Sequence, residues 1–347
     1  MDTALDPVPA APVRAVPAAA DQDERDGGNF LASLSRDEKS ALLARVKELS
    51  RLETWRSVAA LAFDWLLIVA SAAAAVQSGS TLVSLLAIVV IGTRQHALSL
   101  LMHDGAHKRL AVSGRLNDVL SDWLCAFPLF YTTAGYKASH FPHHRFLNTA
   151  QDPDYAIRKG QPAWTFPQPA SKLRRTVVAQ ALGGSAFMIL RILYRYGVKN
   201  KSANATAGSK PKGAGRFERL AFYALLATVL TVANLWLAFL LFWVLPAFTI
   251  LPMCMRVRSW AEHFGLPWKG DLDDSRTVVA NPVARFFFAP HNGGYHLDHH
   301  IFPSVPFYNL PQLHEALMRT GPYARSAAVT DSYLFGPKSV LSALAAR

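Results

Sequence analysis

The chain has 347 residues, 51% of them hydrophobic, with a mean hydropathy of +0.15 and a formal net charge of +12. That hydropathy argues against an ordinary soluble enzyme, and no recognition motif supports nucleic acid as the reason for the charge. With Cys125 and Cys254 as its two cysteines, the chain excludes a four-cysteine iron–sulfur cluster and suggests no disulfide framework.

Residues 1–30 are rich in Pro, Ala and Asp without an apolar core segment, which predicts a disordered tail over 1–35 and no signal peptide. From Asp37 to Arg51, charges alternate with Leu42, Leu43, Val46 and Leu49 at a helical period. This fits an amphipathic helix on a membrane surface and, equally, a solvated helix packed on the domain. Between Arg56 and Arg94 the sole charge is Asp64, and Leu220 to Met255 carries none. Each stretch is too long for one span of about 20 residues and suits two helices joined by a turn. The expected fold is all-α and membrane-embedded, with spans at about 57–76, 82–102, 217–234 and 237–257. These form two hairpins, turning near Gln77–Ser80 and Ala233–Leu235, within a domain covering 36–335, followed by a tail over 336–347. Trp123–Tyr131 is too short to span and reads as re-entrant or interfacial. Lys172 to Arg219 holds eleven Lys or Arg against one Glu, so this loop, the first two histidine groups and both termini are expected on the cytoplasmic side. Within the loop, Lys199–Gly215 reads as a flexible linker. Asp64 inside a span invites a functional reading, though pairing with a polar group on a neighbouring helix would account for it as well.

Eight of the twelve histidines fall into three groups: His103 and His107; His140, His143 and His144; His296, His299 and His300. Residues three and four apart share a helix face, so each group can aim imidazoles at a common point. One metal cannot use eight ligands, whereas two can, and nitrogen ligands suit iron, zinc, copper or nickel rather than magnesium or calcium. The first group ends a span. Pro142 is expected in the first turn of a helix that His140 begins, and Gln151–Tyr155 reads as a turn. His263, just beyond the last span, is a ninth candidate ligand, whereas the lone His314 reads as structural. The glycines of His291-Asn-Gly-Gly-Tyr295 permit a tight turn before the third group. Asp104, Glu262, Asp298 and Asn292 could orient ligating imidazoles, with ordinary surface positions as the alternative. His96, deeper on the face that carries His103, could line a substrate channel or be a satisfied buried side chain beside Arg94.

These motifs, in this order across Arg56–Leu317, resemble the membrane fatty acid desaturase family. Gly294–Pro303, followed by Val305-Pro306 and Leu310-Pro311, is similar to bacterial members that include desaturases and carotenoid ketolases. The resemblance implies a four-span protein whose cytoplasmic helical cap carries two non-haem irons. Their ligands would be His103, His107, His140, His143, His144, His296, His299 and His300, with His263 as a further one. Ser259 stands where acyl-CoA desaturases have an Asn, and the haem motif of a fused cytochrome b5 domain is missing. Dioxygen as co-substrate, an external electron donor such as ferredoxin, a lipid or acyl substrate and the bacterial inner membrane are also implied. An unactivated C–H bond demands an oxidant stronger than any side chain, which a metal and dioxygen can supply. Loss of hydrogen from adjacent carbons gives an alkene, whereas return of oxygen gives an alcohol. A hydroxylase or ketolase is therefore the alternative. A metal transporter or sensor is more distant, because transport sites belong near the bilayer midplane.

Overall fold

The computed structural model describes residues 29–192 and 216–346, so most of the expected N-terminal tail and the Lys199–Gly215 linker lie outside the described residues. Helix α1 (Arg36–Leu49) begins at Ser35, whose hydroxyl accepts the Glu38 N–H while the Glu38 carboxylate accepts the Ser35 N–H, satisfying two donors that a helix start leaves bare. Its Leu42, Val46 and Leu49 are buried with Leu310, Leu313 and Leu317. The helical period thus serves packing on the domain rather than a free membrane-facing stripe. Phe30 and Leu34, in the stretch expected to be tail, are buried in the same cluster. The Phe30 N–H donates to Asp271 at 3.0 Å.

Helices α2 (Thr54–Ser78) and α3 (Thr81–Ala106) are joined at Gly79, whose φ of +60° closes the connection. They share an apolar core that includes Leu61, Ile68, Ala87, Ile91 and Leu98. Together with the Trp236–His263 helix they are, among the described residues, the three helices long and apolar enough to cross a membrane. Of their most apolar stretches, that of α3 is 72% buried and those of the other two 22%. The central helix is therefore covered by protein, while its neighbours leave Phe63, Leu66, Val69 and Leu240 exposed, as lipid-facing surfaces require. The chain reads as a membrane protein. Where the third of the four spans was expected, at about 217–234, a 17-residue helix, Arg216–Val232, runs to a turn at Asn234 with φ +53°. This is the position expected for the second hairpin's turn.

A side chain at Gly92 would find no room, since a Cβ there would lie 2.4 Å from Ile250 Cβ on the Trp236–His263 helix. Small residues permit such close helix contact within a membrane. Gly92→Ala is expected to destabilise the fold by about 1–3 kcal/mol, the usual cost of overpacking, read as a lower unfolding midpoint in detergent.

Beyond the spans, α4 (Gly114–Ser121) leads into a π-helical turn, Asp122–Ala126, in the stretch expected to be re-entrant or interfacial. It packs on the spanning helices: Trp65 Nε1 donates to the Leu124 carbonyl and Trp243 Nε1 to that of Pro128, each at 3.0 Å. Helix α5 (Thr133–Arg145) carries the second histidine group, and here the expected start is corrected. Thr132 caps the helix by accepting the Gly135 N–H at 3.0 Å, so Pro142 lies inside the last turns and His140, His143 and His144 end the helix rather than begin it. Only the last turns lose a hydrogen bond to proline, which limits the cost. Asp152 caps α6 (Pro153–Arg158). The Thr277–Val278 and Val329–Thr330 strands pair in parallel, a minor addition to an otherwise helical fold. Val340–Leu344, in the stretch expected to be a C-terminal tail, is a short helix with Val340 and Leu344 buried.

Candidate metal centre

Three helix ends and one short helix deliver nine imidazoles to one region. His103 lies in the last turn of α3 and His107 caps it, His140, His143 and His144 end α5, and His263 ends the Trp236–His263 helix. The His296–Ile301 helix brings His296, His299 and His300. They divide into two groups that could each hold a metal ion: His103, His107, His140, His144 and His299; and His143, His263, His296 and His300. Within each group the ligand atoms all lie within 4.8 Å of one another. Adjacent histidines part company, because successive residues of a helix point about 100° apart. His143 and His144 therefore serve different groups, as do His299 and His300.

The chemistry of the nitrogens fits a cation. His143 Nδ1 donates to both Asp152 oxygens at 3.0 Å. His103 Nδ1 lies 3.3 Å from Asp104, and His296 Nδ1 lies 3.3 Å from Glu262. In a neutral imidazole a proton on Nδ1 leaves a lone pair on Nε2. His103 Nε2 is buried without a hydrogen-bond partner. His296 Nε2 sits 3.0 Å from Nε2 of both His263 and His300, and His140 Nε2 lies 2.9 Å from that of His107 and 3.0 Å from that of His144. A metal at the centre of each group would satisfy lone pairs that cannot satisfy one another.

Burial, then the neighbouring imidazoles, hold His140, His296, His299 and His300 well below the usual histidine range. Burial, then Arg109 and Lys137, lowers His107 to about 4. His143 differs: burial opposes its protonation, but the Asp152 hydrogen bond and charge outweigh it and leave its pKa raised. A depressed folded-state pKa gives stability that is present above the unfolded value of about 6.5 and lost as pH falls through the folded one. His143 contributes oppositely, stabilising below about 6.5 and losing that as pH rises through its raised value. With the depressed sites in the majority, the metal-free protein is expected to lose stability as pH falls from about 6.5. A fall in unfolding midpoint in detergent over that range would show it; a flat profile would not fit.

The expected supporting residues fare unequally. Asp104 and Glu262 reach imidazoles, although Glu262 meets His296 rather than the adjacent His263 and also accepts from Arg258 at 2.5 Å. Asp298 does not orient a histidine of either group. It accepts from Tyr323 and from His314 Nδ1, the latter at 3.0 Å, because its place between His296 and His299 turns it to the other side of the helix. Asn292 is also corrected: its amide donates to the Phe307 carbonyl at 3.0 Å and its oxygen accepts from Arg285, bracing the turn instead. His96 is fully buried, with Nδ1 3.1 Å from the Phe287 carbonyl, and does not line the small cavity beside His103, His296 and His299. Ser259 Oγ is buried without a partner. The turn before the third group uses His291 and Asn292, with φ of +51° and +60°, as its left-handed residues. The glycines serve close approach instead, since a Cβ on Gly294 would lie 2.5 Å from the Val278 carbonyl. Asp152 and Tyr136, whose hydroxyl is 3.3 Å from His140 Nδ1, were not singled out in the sequence. An acidic residue in the turn after the second group was the available signal for Asp152.

The fatty acid desaturase family model matches residues 79–331, from the start of α3 past the third histidine group. The chain belongs to the fatty acid desaturase family. It is similar to dihydrorhizobitoxine desaturase of Bradyrhizobium elkanii, 26% identical over 250 residues that cover 70% of each chain. The human sphingolipid delta(4)-desaturase/C4-monooxygenase DES2 is 29% identical over 231 residues, 63% of this chain and 61% of that one. The probable fatty acid desaturase DES1 of Sorghum bicolor is 26% identical over 275 residues, 76% and 70% of the two chains. This desaturase-family chain is thus an oxidoreductase of the fatty acid desaturase type.

Proposed function

We propose that this desaturase is a membrane-bound, dioxygen-dependent di-iron enzyme that introduces a carbon–carbon double bond into a lipid or acyl substrate. The observation that carries the reading is the division of nine imidazoles into groups of five and four with converging nitrogens. Iron suits nitrogen ligands, and when bound it would supply the reduction of dioxygen and the oxidising power that side chains lack. His103, His107, His140, His144 and His299 would hold one ion, and His143, His263, His296 and His300 the other.

The protein's own part is to hold and shield. Asp104, Asp152 and Glu262 fix ring orientation from behind. A cavity of about 20 Å³ bounded by His103, His296, His299, Leu100 and Phe307 has room for about one water. In balance, the substrate loses two hydrogens and dioxygen takes two electrons and two protons besides, leaving two waters. The electrons would come from an external donor such as a ferredoxin. The charge-free Leu220–Met255 stretch and the turn at Asn234 support a four-span arrangement. The basic Lys172–Arg219 loop supports a cytoplasmic cap and cytoplasmic termini in a bacterial inner membrane.

The human relative's name joins desaturase to monooxygenase, which favours hydroxylation as the second reading; ketolation is a further variant on the same scaffold. Lipid and metabolite mass spectra of bacteria expressing the wild type, set against an inactive histidine variant, separate them. A product lacking two hydrogens is expected, whereas one gaining an oxygen atom would move the assignment to a hydroxylase or ketolase.

A further inference from the structure

Asp64 is fully buried within α2, and a carboxylate there must be compensated. Two side chains meet it. Arg94 on α3 donates from Nη1 to Oδ1 at 3.0 Å, and His291 Nε2 lies 2.6 Å from Oδ2. Arg94 is itself 3% exposed. Its Nη2 donates to the Phe286 carbonyl at 2.8 Å and its guanidinium lies 4.1 Å from the centre of the Phe286 ring. Apolar side chains could pack these helices as well as a buried ion pair does. What an ion pair adds here is a fixed attachment point for the loop that carries His291.

The backbone of that loop needs one. His291 adopts φ +51° and ψ +39°, a left-handed conformation that non-glycine residues keep when their surroundings hold them there. The loop leads through Tyr295, whose N–H donates to the Asn292 carbonyl at 3.0 Å, straight into His296. The His291 imidazole packs edge-on against Phe307 with ring centres 5.3 Å apart. The Phe307 N–H donates to Asp104 at 2.9 Å, and Asp104 in turn faces His103. Contacts therefore run from one carboxylate among the spans to both the third and the first histidine groups.

We propose that Asp64 and His291, backed by Arg94, are positioning residues that set the third histidine group against the other two. Losing the pair therefore releases metal from the four-histidine group before the five-histidine one. The inference rests on the dimetal reading above. Its asymmetry follows from ligand numbers: the His296–Ile301 helix supplies His296 and His300 to the group of four but His299 alone to the group of five. A shift of that helix disturbs half of one ligand set and a fifth of the other.

The test is cobalt(II) titration of the full-length protein, purified metal-free in detergent, with the visible bands reporting coordination. His291→Asn is the main variant, because Asn tolerates a left-handed backbone and the Asp64–Arg94 pair stays in place to hold the helices. Asp64→Asn is the second, and thermal unfolding confirms that each is folded. The wild type is expected to take up two cobalt ions per chain with two distinct spectra. Each variant is expected to retain one, with the spectrum of the five-histidine group. Two tightly held ions with the wild-type spectrum in a folded variant would overturn the positioning role and leave the dimetal reading standing. Loss of both ions together would overturn it equally. A wild type that takes up one ion or none would overturn both readings.

Discussion

Replacing His296 with alanine is expected to abolish turnover, by more than about 100-fold, and to lower bound metal from two ions per chain toward one. Loss of a supporting residue behind a ligand already costs about 10–100-fold, and His296 is itself a candidate ligand at the centre of its group. Its Nε2 is 3.0 Å from those of both His263 and His300. Without it the group retains His143, His263 and His300, whereas the other group keeps all five of its histidines. Metal analysis and product mass on the same preparation check the two halves of the expectation. Retention of two ions with full activity would refute the ligand assignment.

Asp152→Asn is expected to weaken metal binding by about 10–100-fold while leaving the protein folded. Asp152 accepts from His143 Nδ1, from the Asn148 N–H at 3.0 Å and from the Asp154 N–H at 2.9 Å. One carboxylate thus fixes an imidazole and caps the next helix. Asn caps a helix about as well as Asp, so the substitution removes mainly the charge behind His143. Burial lowers the His143 pKa, but the Asp152 hydrogen bond and then its charge outweigh that and raise it. In the variant His143 is expected to titrate lower, so that protons compete less with metal in acid even as affinity at neutral pH falls. Metal titrations at two pH values measure both effects, and an unchanged affinity at neutral pH would show that Asp152 serves the cap alone.

The three apolar helices were legible because the sequence lacks charge where a bilayer forbids it, and Asp64 stood out for the same reason. Helical spacing of the histidines was legible too, since it is local. The division into five and four was harder to see, because it depends on which rings of different helices meet, although adjacent histidines must diverge by about 100°. His263 could be placed through family resemblance and not through its spacing. Asp298 misled because closeness in sequence to two candidate ligands says nothing of the face it occupies, and there His314 and Tyr323 claim it. The start of α5 was missed because the Thr132 cap is an ordinary threonine ten residues ahead of the conspicuous Pro142. For the division of the histidines and for Asp298 the missing information was tertiary, whereas the Thr132 cap is a local signal outweighed by the proline.

The most direct test of the two-metal centre is anomalous diffraction at the iron edge from crystals of the full chain purified with iron. Two peaks are expected, one amid His103, His107, His140, His144 and His299 and the other amid His143, His263, His296 and His300. A single peak, or iron bound away from these imidazoles, would contradict the di-iron assignment.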